Sequence, residues 1–498
     1  MWTELFALIS FLIALVIFLQ PTYLPRLIDF LLGQTPPGPF SWPLVGARNI
    51  DSDKPWKTFT QWGERYGGAV SFFLGTEFVV VLTDIKAIRA ALHSPSFDGR
   101  PLTPIGRTLN KNLGIGLTDG PAWPPQRKFA AATLRSAIGS GHPSTAYGKY
   151  SQIAVQDFLE AFAKTADQPF FVRPLIERAI VTSLSSIVHE GQLTPDDPHF
   201  PRLMEAYQSF FSASLTTNLL NIMPWLKYVP PHREKYSLLK AAVYDMAQFA
   251  RDAIAEKRKV ELSEAVDGTA VDFVDAFRRE LENADRHPSF TEEQLTITAA
   301  ELLMAGSEDS TNVLLWTVLF TALYPDDQRR IQDLLDRVVG RNRGVSLTDR
   351  KALGLVDAFI AETIRFSNAV PHPLPRRAME DTVCLGFKIP AGTVLITNTY
   401  SVHFSEELWD EPFMFRPERF LDKEGNFCPN QNILAFGMGR RICIGEQFAK
   451  MEMFMLLASV LQRFQISLPE GMERPDPAKT SDGINLTPKP FQIRCSPR

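Results

Sequence analysis

Apolar residues recur at helical spacing over much of the chain, and the longest such run lies between Thr291 and Pro325. Thr291-Glu292-Glu293-Gln294 has the form of a capping box, and Pro325 ends the pattern. At ~1.5 Å per residue, the run predicts a helix of roughly 50 Å, long enough to cross a whole domain. Gly306 lies near its middle, where a glycine costs about 1 kcal/mol relative to alanine. We therefore expect Ala305 and Gly306 to let another group approach the helix backbone.

Shorter runs predict the other elements. Helices are expected over Trp56–Tyr66, from Asp84 to about Leu92, between about Tyr150 and Val260, over Asp357–Arg365 and from Glu446 to Leu461. Strand-like runs at Ala69–Leu74 and Phe78–Leu82 meet at Gly75, and runs at Val383–Phe387 and Val394–Thr397 flank Pro390-Ala391-Gly392 as a second hairpin. The stretch between Ser94 and Pro121 is rich in Gly and Pro, which predicts a loop. The expected fold is mainly α with small β-sheets.

Composition excludes several classes of protein. The chain has 498 residues, 45% of them hydrophobic, and a formal net charge of −4 without a long basic run, so nothing indicates nucleic-acid binding. Its four cysteines are Cys384, Cys428, Cys443 and Cys495. They form no CxxC pair, which argues against a zinc site or a disulfide framework and favours a reducing compartment.

The N-terminus is apolar from Leu5 to Leu19 except for Ser10. We interpret residues 1–20 as an uncleaved membrane anchor, residues 21–43 as an interfacial segment with a stiff Pro-rich linker, and residues 44–498 as a single domain. A cleaved signal peptide is the rival interpretation, but no basic region precedes the apolar run. Glu4 and Arg26 flank the run, and this charge bias favours a cytosolic main body.

The decapeptide FGMGRRICIG, residues 436–445, places Cys443 in a Gly-rich turn just before a helix. The positive end of the helix dipole and free backbone N–H groups favour a thiolate at this position. Gly437, Gly439 and Gly445 permit tight or left-handed backbone and leave room for a large flat group. Arg441 adds a fixed cation. These are the requirements of an axial thiolate for a haem iron, with an arginine for a propionate.

A lone cysteine is usually only a buried small hydrophobe. Here five positions match the Phe-x-x-Gly-x-Arg-x-Cys-x-Gly signature of the cytochromes P-450: Phe436, Gly439, Arg441, Cys443 and Gly445. The chain therefore resembles that family, from about Pro36 to Arg498, and its general pattern is closest to the microsomal drug- and lipid-oxidising branch. The resemblance implies the cytochrome P-450 fold, with haem b between the long helix and the cysteine loop and Cys443 as the iron ligand.

The resemblance also implies roles for residues that would otherwise be taken as ordinary packing or surface pairs. Trp123 and Arg127, with Arg376 and Arg441, are expected to bind the haem propionates. Glu362 and Arg365 share a helix face, and Arg419 of the Phe415–Phe420 segment is expected to join them in a buried network that supports the haem loop. An isolated Glu-x-x-Arg pair is more often a solvated ion pair.

In the long helix, the family uses an acid followed by a threonine to stabilise bound oxygen and relay protons. Glu308 fills the acid position, but Asp309 occupies the threonine position. Desolvation would raise the pKa of this carboxyl group. Three outcomes are open: Ser310 or Thr311 takes the hydroxyl role through a local bulge, Asp309 itself relays protons, or the protein is not an ordinary monooxygenase.

Three functions follow from the resemblance. The first is a monooxygenase in the endoplasmic reticulum membrane that inserts one oxygen atom from O2 into an apolar molecule. It would use electrons from NADPH through NADPH–cytochrome P-450 reductase, with cytochrome b5 as an alternative donor. The second is a haem-thiolate isomerase or dehydratase that needs no reductase. The third is a non-catalytic haem sensor.

The resemblance further implies which surfaces meet the substrate and the reductase. The pocket would be lined by mostly apolar stretches, namely Pro101–Leu117, Phe210–Leu220, Ala299–Gly306, Ala369–Leu374 and Gly483–Leu486. For Phe210–Leu220, ordinary core packing is the favoured interpretation of most residues, and the sequence does not separate it from a pocket lining. The reductase would meet a basic surface formed by Lys128, Arg135, Arg440 and Lys450, which are otherwise ordinary solvated charges.

Overall fold

The computed structural model describes residues 4, 10–11, 23–42, 45–51, 53–101, 110–139, 146–189, 197–198, 200–216, 220, 224–259, 272–481 and 485–498. Helices dominate it, in agreement with the sequence prediction of a mainly α fold. They are α1 (Tyr23–Leu31), α2 (Pro55–Tyr66), α3 (Ile85–His93), α4 (Trp123–Ile138), α5 (Ala146–Lys164), α6 (Arg173–His189), α7 (Phe200–Thr216), α8 (His232–Arg258), α9 (Phe273–Glu282), α10 (Glu292–Leu323), α11 (Pro325–Val338), α12 (Gly354–Ser367), α13 (Thr399–His403) and α14 (Glu446–Arg463).

The strands are short and form small sheets. They are β1 (Ala69–Leu74), β2 (Glu77–Leu82), β3 (Arg376–Arg377), β4 (Thr382–Cys384), β5 (Phe387–Ile389), β6 (Val394–Thr397), β7 (Phe464–Ser467), β8 (Thr480–Ser481), β9 (Thr487–Pro488) and β10 (Arg494–Pro497). The largest sheet has the order β1-β2-β6-β3, and β6 runs parallel to β2.

The predicted second hairpin is wrong. β4 turns back into β5 through Leu385 and Gly386, whose φ angles of 51° and 82° suit a two-residue hairpin turn. β6 instead joins β2, with Val394 opposite Val79. The apolar strand β6 can bury its backbone against the apolar β2, and alternation along a strand does not reveal which partner it takes.

Helix α10 runs without interruption through the protein, as its sequence pattern predicts. The side chain of Thr291 accepts a hydrogen bond from the Gln294 N–H at 3.2 Å and so caps the helix. The capping box is only half formed, because the Gln294 side-chain amide donates to the carbonyl of Gly114 at 3.0 Å. Helix α10 packs against α6, α8, α12 and α14, so the residues on its inner faces all lie in the core.

The N-terminal part of the described chain packs on the first sheet. Tyr23 at the start of α1 is buried, with its ring 5.0 Å from that of Phe73. The Pro-rich segment continues along the edge of β1, where the Ser71 N–H donates to the carbonyl of Pro37 at 3.1 Å. The predicted anchor, residues 1–20, lies outside the described residues except for Glu4, Ser10 and Phe11. Among the described helices, none combines the length and the apolar character needed to cross a bilayer.

A buried ion network lies behind the cysteine loop. The Arg365 guanidinium donates to both oxygens of the Glu362 carboxylate at 2.7 Å, and both side chains are inaccessible to solvent. Arg419 donates to the same carboxylate at 3.1 Å, and so does the backbone N–H of Arg416 at 2.8 Å. The structure therefore joins the three residues that the sequence grouped, and the network connects α12 to the segment before the cysteine loop.

His403 extends this network to the cysteine loop. Arg365 donates to the backbone carbonyl of His403 at 2.8 Å, and the His403 ring accepts a hydrogen bond from the Leu434 N–H at 3.0 Å. Burial and the charge of Arg365 lower the pKa of His403 to about 3, so the ring stays neutral and can accept this bond. Leu434 in turn accepts a bond from Gly437 at 2.8 Å. A continuous chain of contacts thus positions the loop that carries Cys443.

Glu362→Gln should destabilise the fold strongly, because it leaves two arginines beside a neutral amide in a buried site. We expect the free energy of unfolding to fall by about 3–5 kcal/mol, measured by urea denaturation. Arg329→Gln, which breaks an exposed pair with Asp326, is the matched control and should cost no more than about 1 kcal/mol. Equal losses in the two variants would contradict the structural role of the network.

Candidate active site

Cys443 lies in a closed loop that leads into α14. Its backbone N–H donates to the carbonyl of Phe436 at 2.9 Å, and the Ile442 N–H donates to Gly439 at 3.1 Å. The Cys443 side chain is accessible, although burial by the surrounding protein still dominates its pKa. The thiol therefore faces a cleft inside the protein and is not packed in the core.

The glycines of this loop do not all serve the same purpose. Gly437 and Gly439 have φ angles of 69° and 72°, which favour glycine. A Cβ atom on Gly439 would lie 1.9 Å from the carbonyl oxygen of Leu92, so the loop can pass the end of α3 only with glycine there. Gly445 has an ordinary φ of −90°, which corrects our expectation that it needs special backbone freedom.

The protein alone does not favour a thiolate at Cys443. The pKa of this thiol is raised to about 11, mainly by burial and to a smaller extent by the charge of Asp309. A hydrogen bond from the Gly445 N–H and the charge of Arg127 act in the opposite direction but do not prevail. The expected influence of the helix terminus is therefore outweighed by desolvation. A metal ion bound to the sulfur would reverse this balance, since a coordinating thiol loses its proton.

Helix α10 forms the wall opposite the cysteine loop. Ala305 and Asp309, which are four residues apart and share a helix face, are both accessible from the cleft. The charge of Asp309 influences the pKa of Cys443, which places the two side chains within electrostatic reach of each other. Gly306 faces elsewhere: a Cβ atom there would lie 2.6 Å from Leu184 of α6. The glycine thus permits close helix packing, and only Ala305 leaves room on the cleft side.

Glu308 and Ser310 do not share this face. The Glu308 carboxylate accepts two hydrogen bonds of 3.0 Å from Arg173 and one of 3.2 Å from Asn312. Ser310 is buried, with 4% of its surface accessible. Helix α10 remains a regular α-helix through Ser310 and Thr311, so the bulge that would bring a hydroxyl group into the oxygen-binding position is absent from this described segment. Asp309 is the member of the predicted trio that faces the cleft.

Asp309 receives a hydrogen bond of 2.6 Å from the side-chain amide of Asn485. The pKa of Asp309 is raised to about 6, because burial and the charge of Glu308 raise it more than the bond from Asn485 lowers it. The carboxyl group can therefore gain and lose a proton close to neutral pH. The resemblance placed Asn485 in the predicted pocket stretch Gly483–Leu486, but its bond to Asp309 could not be found from the sequence, because the two residues lie 176 positions apart in the chain.

Arginines gather at one edge of the cleft. The Arg441 guanidinium lies 3.6 Å from the centre of the Trp123 ring and donates to the carbonyls of Asp98, Ile115 and Thr118 at 2.6–3.1 Å. Arg376 donates to the carbonyl of Met438 at 3.1 Å. Arg127 donates to the carbonyl of Ile442 in the cysteine loop. The structure thus brings together the four residues predicted to bind propionates.

Trp123 contacts both the loop before it and Arg441. Its indole N–H donates to the carbonyl of Ile115 at 3.2 Å. An indole has only this one donor, so Trp123 supports Arg441 by stacking and leaves the hydrogen bonds to the arginines.

Arg100 is a member of this cluster that the sequence did not reveal. It is buried and donates to the carbonyls of Gly116, Leu374 and Pro375 at 2.8–2.9 Å. Burial and the neighbouring cations lower its pKa well below the usual value. Nothing in the Gly- and Pro-rich stretch around it distinguishes it from a surface arginine.

Glu301 lies in the predicted pocket stretch Ala299–Gly306, but its contacts were not predicted, although an acid in the apolar run before Ala305 is a usable signal. Its carboxylate accepts hydrogen bonds from the Ile115 N–H at 2.7 Å and the Gly116 N–H at 3.1 Å. A Cβ atom on Gly114 would lie 2.3 Å from the same carboxylate. Glu301 therefore fastens the loop of residues 110–118 to α10, and that loop supplies the carbonyls that orient Arg441.

These residues fit a haem. The cleft has a thiol on one wall and a small side chain, Ala305, on the other. At its edge, burial lowers the pKa of Arg441 to about 9 and of Arg376 to about 10, and mutual repulsion of the guanidinium groups contributes. Among the described residues, Asp98 forms ion pairs with Arg440 at 2.7 Å and Arg376 at 3.5 Å, and Asp119 forms one with Arg377 at 2.6 Å, so these carboxylates do not balance Arg441, Arg127 and Arg100 as well. The inner arginines thus retain excess positive charge, which two propionates would balance.

The stretches predicted to line a substrate pocket are only partly described. Residues 102–109, 217–219 and 483–484 lie outside the described residues. Phe210 is buried against Leu239 and Ala242, which agrees with the core-packing alternative for that residue. At the other end, the Leu486 N–H donates to the carbonyl of Ala369 at 2.8 Å, so these two predicted stretches do meet.

Comparison with known proteins agrees with this geometry. The family model described as Cytochrome P-450 matches residues 34–495. The chain is 34% identical to cytochrome P-450 2U1 of Mus musculus over 444 residues, which cover 87% of this chain and 81% of the relative. It is 34% identical to cytochrome P-450 2D15 of Canis lupus familiaris and 33% identical to cytochrome P-450 2D4 of Rattus norvegicus, with 93% of each chain covered in both cases. A match of this extent, together with the cysteine loop and the arginine-rich cleft, shows that the chain is a haem-thiolate monooxygenase and belongs to the cytochrome P-450 family.

Proposed function

We propose that this monooxygenase is held on the endoplasmic reticulum membrane by residues 1–20, with residues 21–43 as interfacial segment and linker and residues 44–498 as one cytosolic catalytic domain. It takes electrons from NADPH through NADPH–cytochrome P-450 reductase, with cytochrome b5 as an alternative donor, and oxidises an apolar lipid, sterol, terpenoid or xenobiotic. The apolar run at Leu5–Leu19 supports the anchor. Resistance of the full chain to extraction from membranes by alkaline carbonate checks it.

The observation that carries the proposal is the arrangement of the cleft: a thiol on one wall, Asp309 opposite, and arginines at the edge. Cys443 would hold the iron of haem b through its sulfur, and Arg441, Arg376 and Arg127 would bind its propionates, with Trp123 and Arg100 keeping the arginines in place. When bound, the haem supplies reductive activation of dioxygen, which thiolate ligation promotes. Phe436, Gly439 and Gly445 shape the loop that presents the sulfur.

Asp309 is proposed to hold and deliver the proton that dioxygen activation requires. Below a pH of about 6 the carboxyl group is neutral and can donate a hydrogen bond. Above that pH it is an anion, which repels negative charge developing on the same side of the haem. Arg173 keeps the Glu308 carboxylate on α10 directed away from the cleft, so Glu308 acts mainly through its charge on Asp309.

The identity of the iron ligand is tested by Cys443→Ser. The reduced, CO-treated protein should show the long-wavelength Soret band of thiolate ligation, and the variant should lose it, because a serine hydroxyl cannot replace the thiolate. The measurement is the reduced-CO difference spectrum, and Cys428→Ser is the control, since Cys428 is exposed and lies elsewhere. A variant at residue 443 that keeps the full spectrum would disprove this assignment.

The electron source is tested on the exposed basic residues of α4. Lys128 and Arg135 are exposed, whereas Arg440 and Lys450 already pair with Asp98 at 2.7 Å and Glu446 at 2.6 Å. Lys128→Glu combined with Arg135→Glu should raise the reductase concentration needed for half-maximal NADPH oxidation about tenfold at low salt, because rim charges steer association.

Arg329→Glu on the exposed face of α11 is the control and should change this concentration little. Turnover of fatty-acid hydroperoxide without any reductase would instead support the isomerase or dehydratase function. Ligand binding with neither activity would indicate a sensor.

The role of Asp309 is tested by Asp309→Thr. In the natural protein, the fraction of NADPH consumption that yields product should fall as the pH rises through about 6, because the carboxyl group then loses its proton. The threonine variant should show higher coupling at neutral pH and no such dependence, as judged by comparing NADPH consumed with product formed. Complete loss of turnover in the variant would count against this role.

A further inference from the structure

The backbone directly after Asn485 is held independently of the Asn485 side chain. The Leu486 N–H donates to the carbonyl of Ala369 at 2.8 Å, and the Leu486 carbonyl accepts a bond of 2.8 Å from the indole of Trp316. Trp316 itself is buried in α10. The backbone next to Asn485 is therefore tied to the same helix that carries Asp309. The Asn485 amide can reach Asp309 without ordering a flexible segment, so little conformational entropy is lost in making the bond.

The two oxygens of Asp309 have different environments. Oδ1 accepts the bond of 2.6 Å from Asn485. Among the described residues, no side chain or backbone group donates a hydrogen bond to Oδ2, and the Asp309 side chain is accessible from the cleft. The carboxyl group is thus held at one oxygen and open at the other.

Several charged and titratable groups around Asp309 influence its protonation, together with burial and the hydrogen bond from Asn485. Glu308 precedes it on α10 and is paired with Arg173 of α6, which also binds Glu177. Tyr207 of α7 and Cys443 of the facing loop both have pKa values that the Asp309 charge raises. Burial and Glu308 favour the neutral acid, and the Asn485 amide favours the anion.

We propose that Asn485 is a positioning residue of the monooxygenase reaction: its amide fixes Oδ1 of Asp309 and thereby presents Oδ2 to the side of the haem where dioxygen binds. The inference rests on the proposed role of Asp309. A threonine at residue 309 would need no partner to orient it, because a single side-chain torsion angle fixes the position of its hydroxyl group beside the helix backbone. An aspartate has a second torsion angle, which turns the carboxyl group, and the hydrogen bond from the Asn485 amide fixes this angle.

The test uses the C–O stretch of the ferrous CO complex of the full-length holoprotein, reduced chemically and without reductase. A hydrogen-bond donor beside the CO oxygen lowers this frequency, so the band should shift with a midpoint near pH 6 in the natural protein as Asp309 titrates. Asp309→Asn should abolish the pH dependence. Asn485→Ala should move the midpoint upward by about one pH unit, because the carboxylate loses a hydrogen bond, and should broaden the band.

Asn485→Gln keeps the amide and should bring the midpoint part of the way back to that of the natural protein. Asn283→Ala, at the exposed end of α9, is the control and should have the same midpoint as the natural protein. If the band of the natural protein responds to pH and Asn485→Ala changes neither its midpoint nor its width, the positioning role of Asn485 alone is overturned. A natural protein whose C–O stretch does not respond to pH would overturn the role of Asp309 and the positioning proposal together. Failure of reductase to support turnover would overturn the proposed electron source without affecting this measurement.

Discussion

The contact of Arg441 with Trp123 joins the parts on which the active site depends. Its guanidinium, 3.6 Å from the indole ring centre, also binds carbonyls of Asp98, Ile115 and Thr118. Because the loop that contains Ile115 is fastened to α10 through Glu301, this one side chain connects the cysteine loop with the opposite wall of the cleft. A planar group with five donors can make these contacts at once, which a lysine could not. The position of Cys443 relative to Asp309 follows from this set of bonds.

Charge is distributed unevenly around the cleft. Guanidinium groups crowd one edge, where burial and their mutual repulsion lower the pKa values of Arg441 and Arg376, and the Asp309 carboxyl group, whose pKa is raised, faces the interior. Without a bound cofactor, the crowded guanidinium groups and the buried carboxyl group both destabilise the folded protein. A cofactor with two carboxylates and a central cation compensates both the arginines and the thiol, so binding of haem and folding of this region stabilise each other.

Asp309 stands where the family has a threonine, and this difference gives a distant residue, Asn485, a role in the site. A carboxyl group on the oxygen-binding face must be oriented and must exchange its proton near neutral pH. Its bond to Asn485 comes from a loop 176 residues further along the chain. Glu308, by contrast, is withdrawn into an ion pair with Arg173, so the two adjacent acids of α10 do not compete for the same site.

The sequence by itself determined the long helix, the cysteine loop and the pairing of Glu362 with Arg365, because each depends on spacing within a short segment. The resemblance to the family added Arg419 to that pair and predicted that Arg127, Arg376 and Arg441 meet at the cleft. Only the tertiary structure decided that β6 pairs with β2, that Gly306 serves packing against Leu184, that Arg100 joins the arginine cluster, and that Glu301 binds Ile115 and Asn485 binds Asp309. These outcomes depend on contacts between segments far apart in the chain, and desolvation, which sets the pKa values of Cys443 and Asp309, exists only once those segments have packed together.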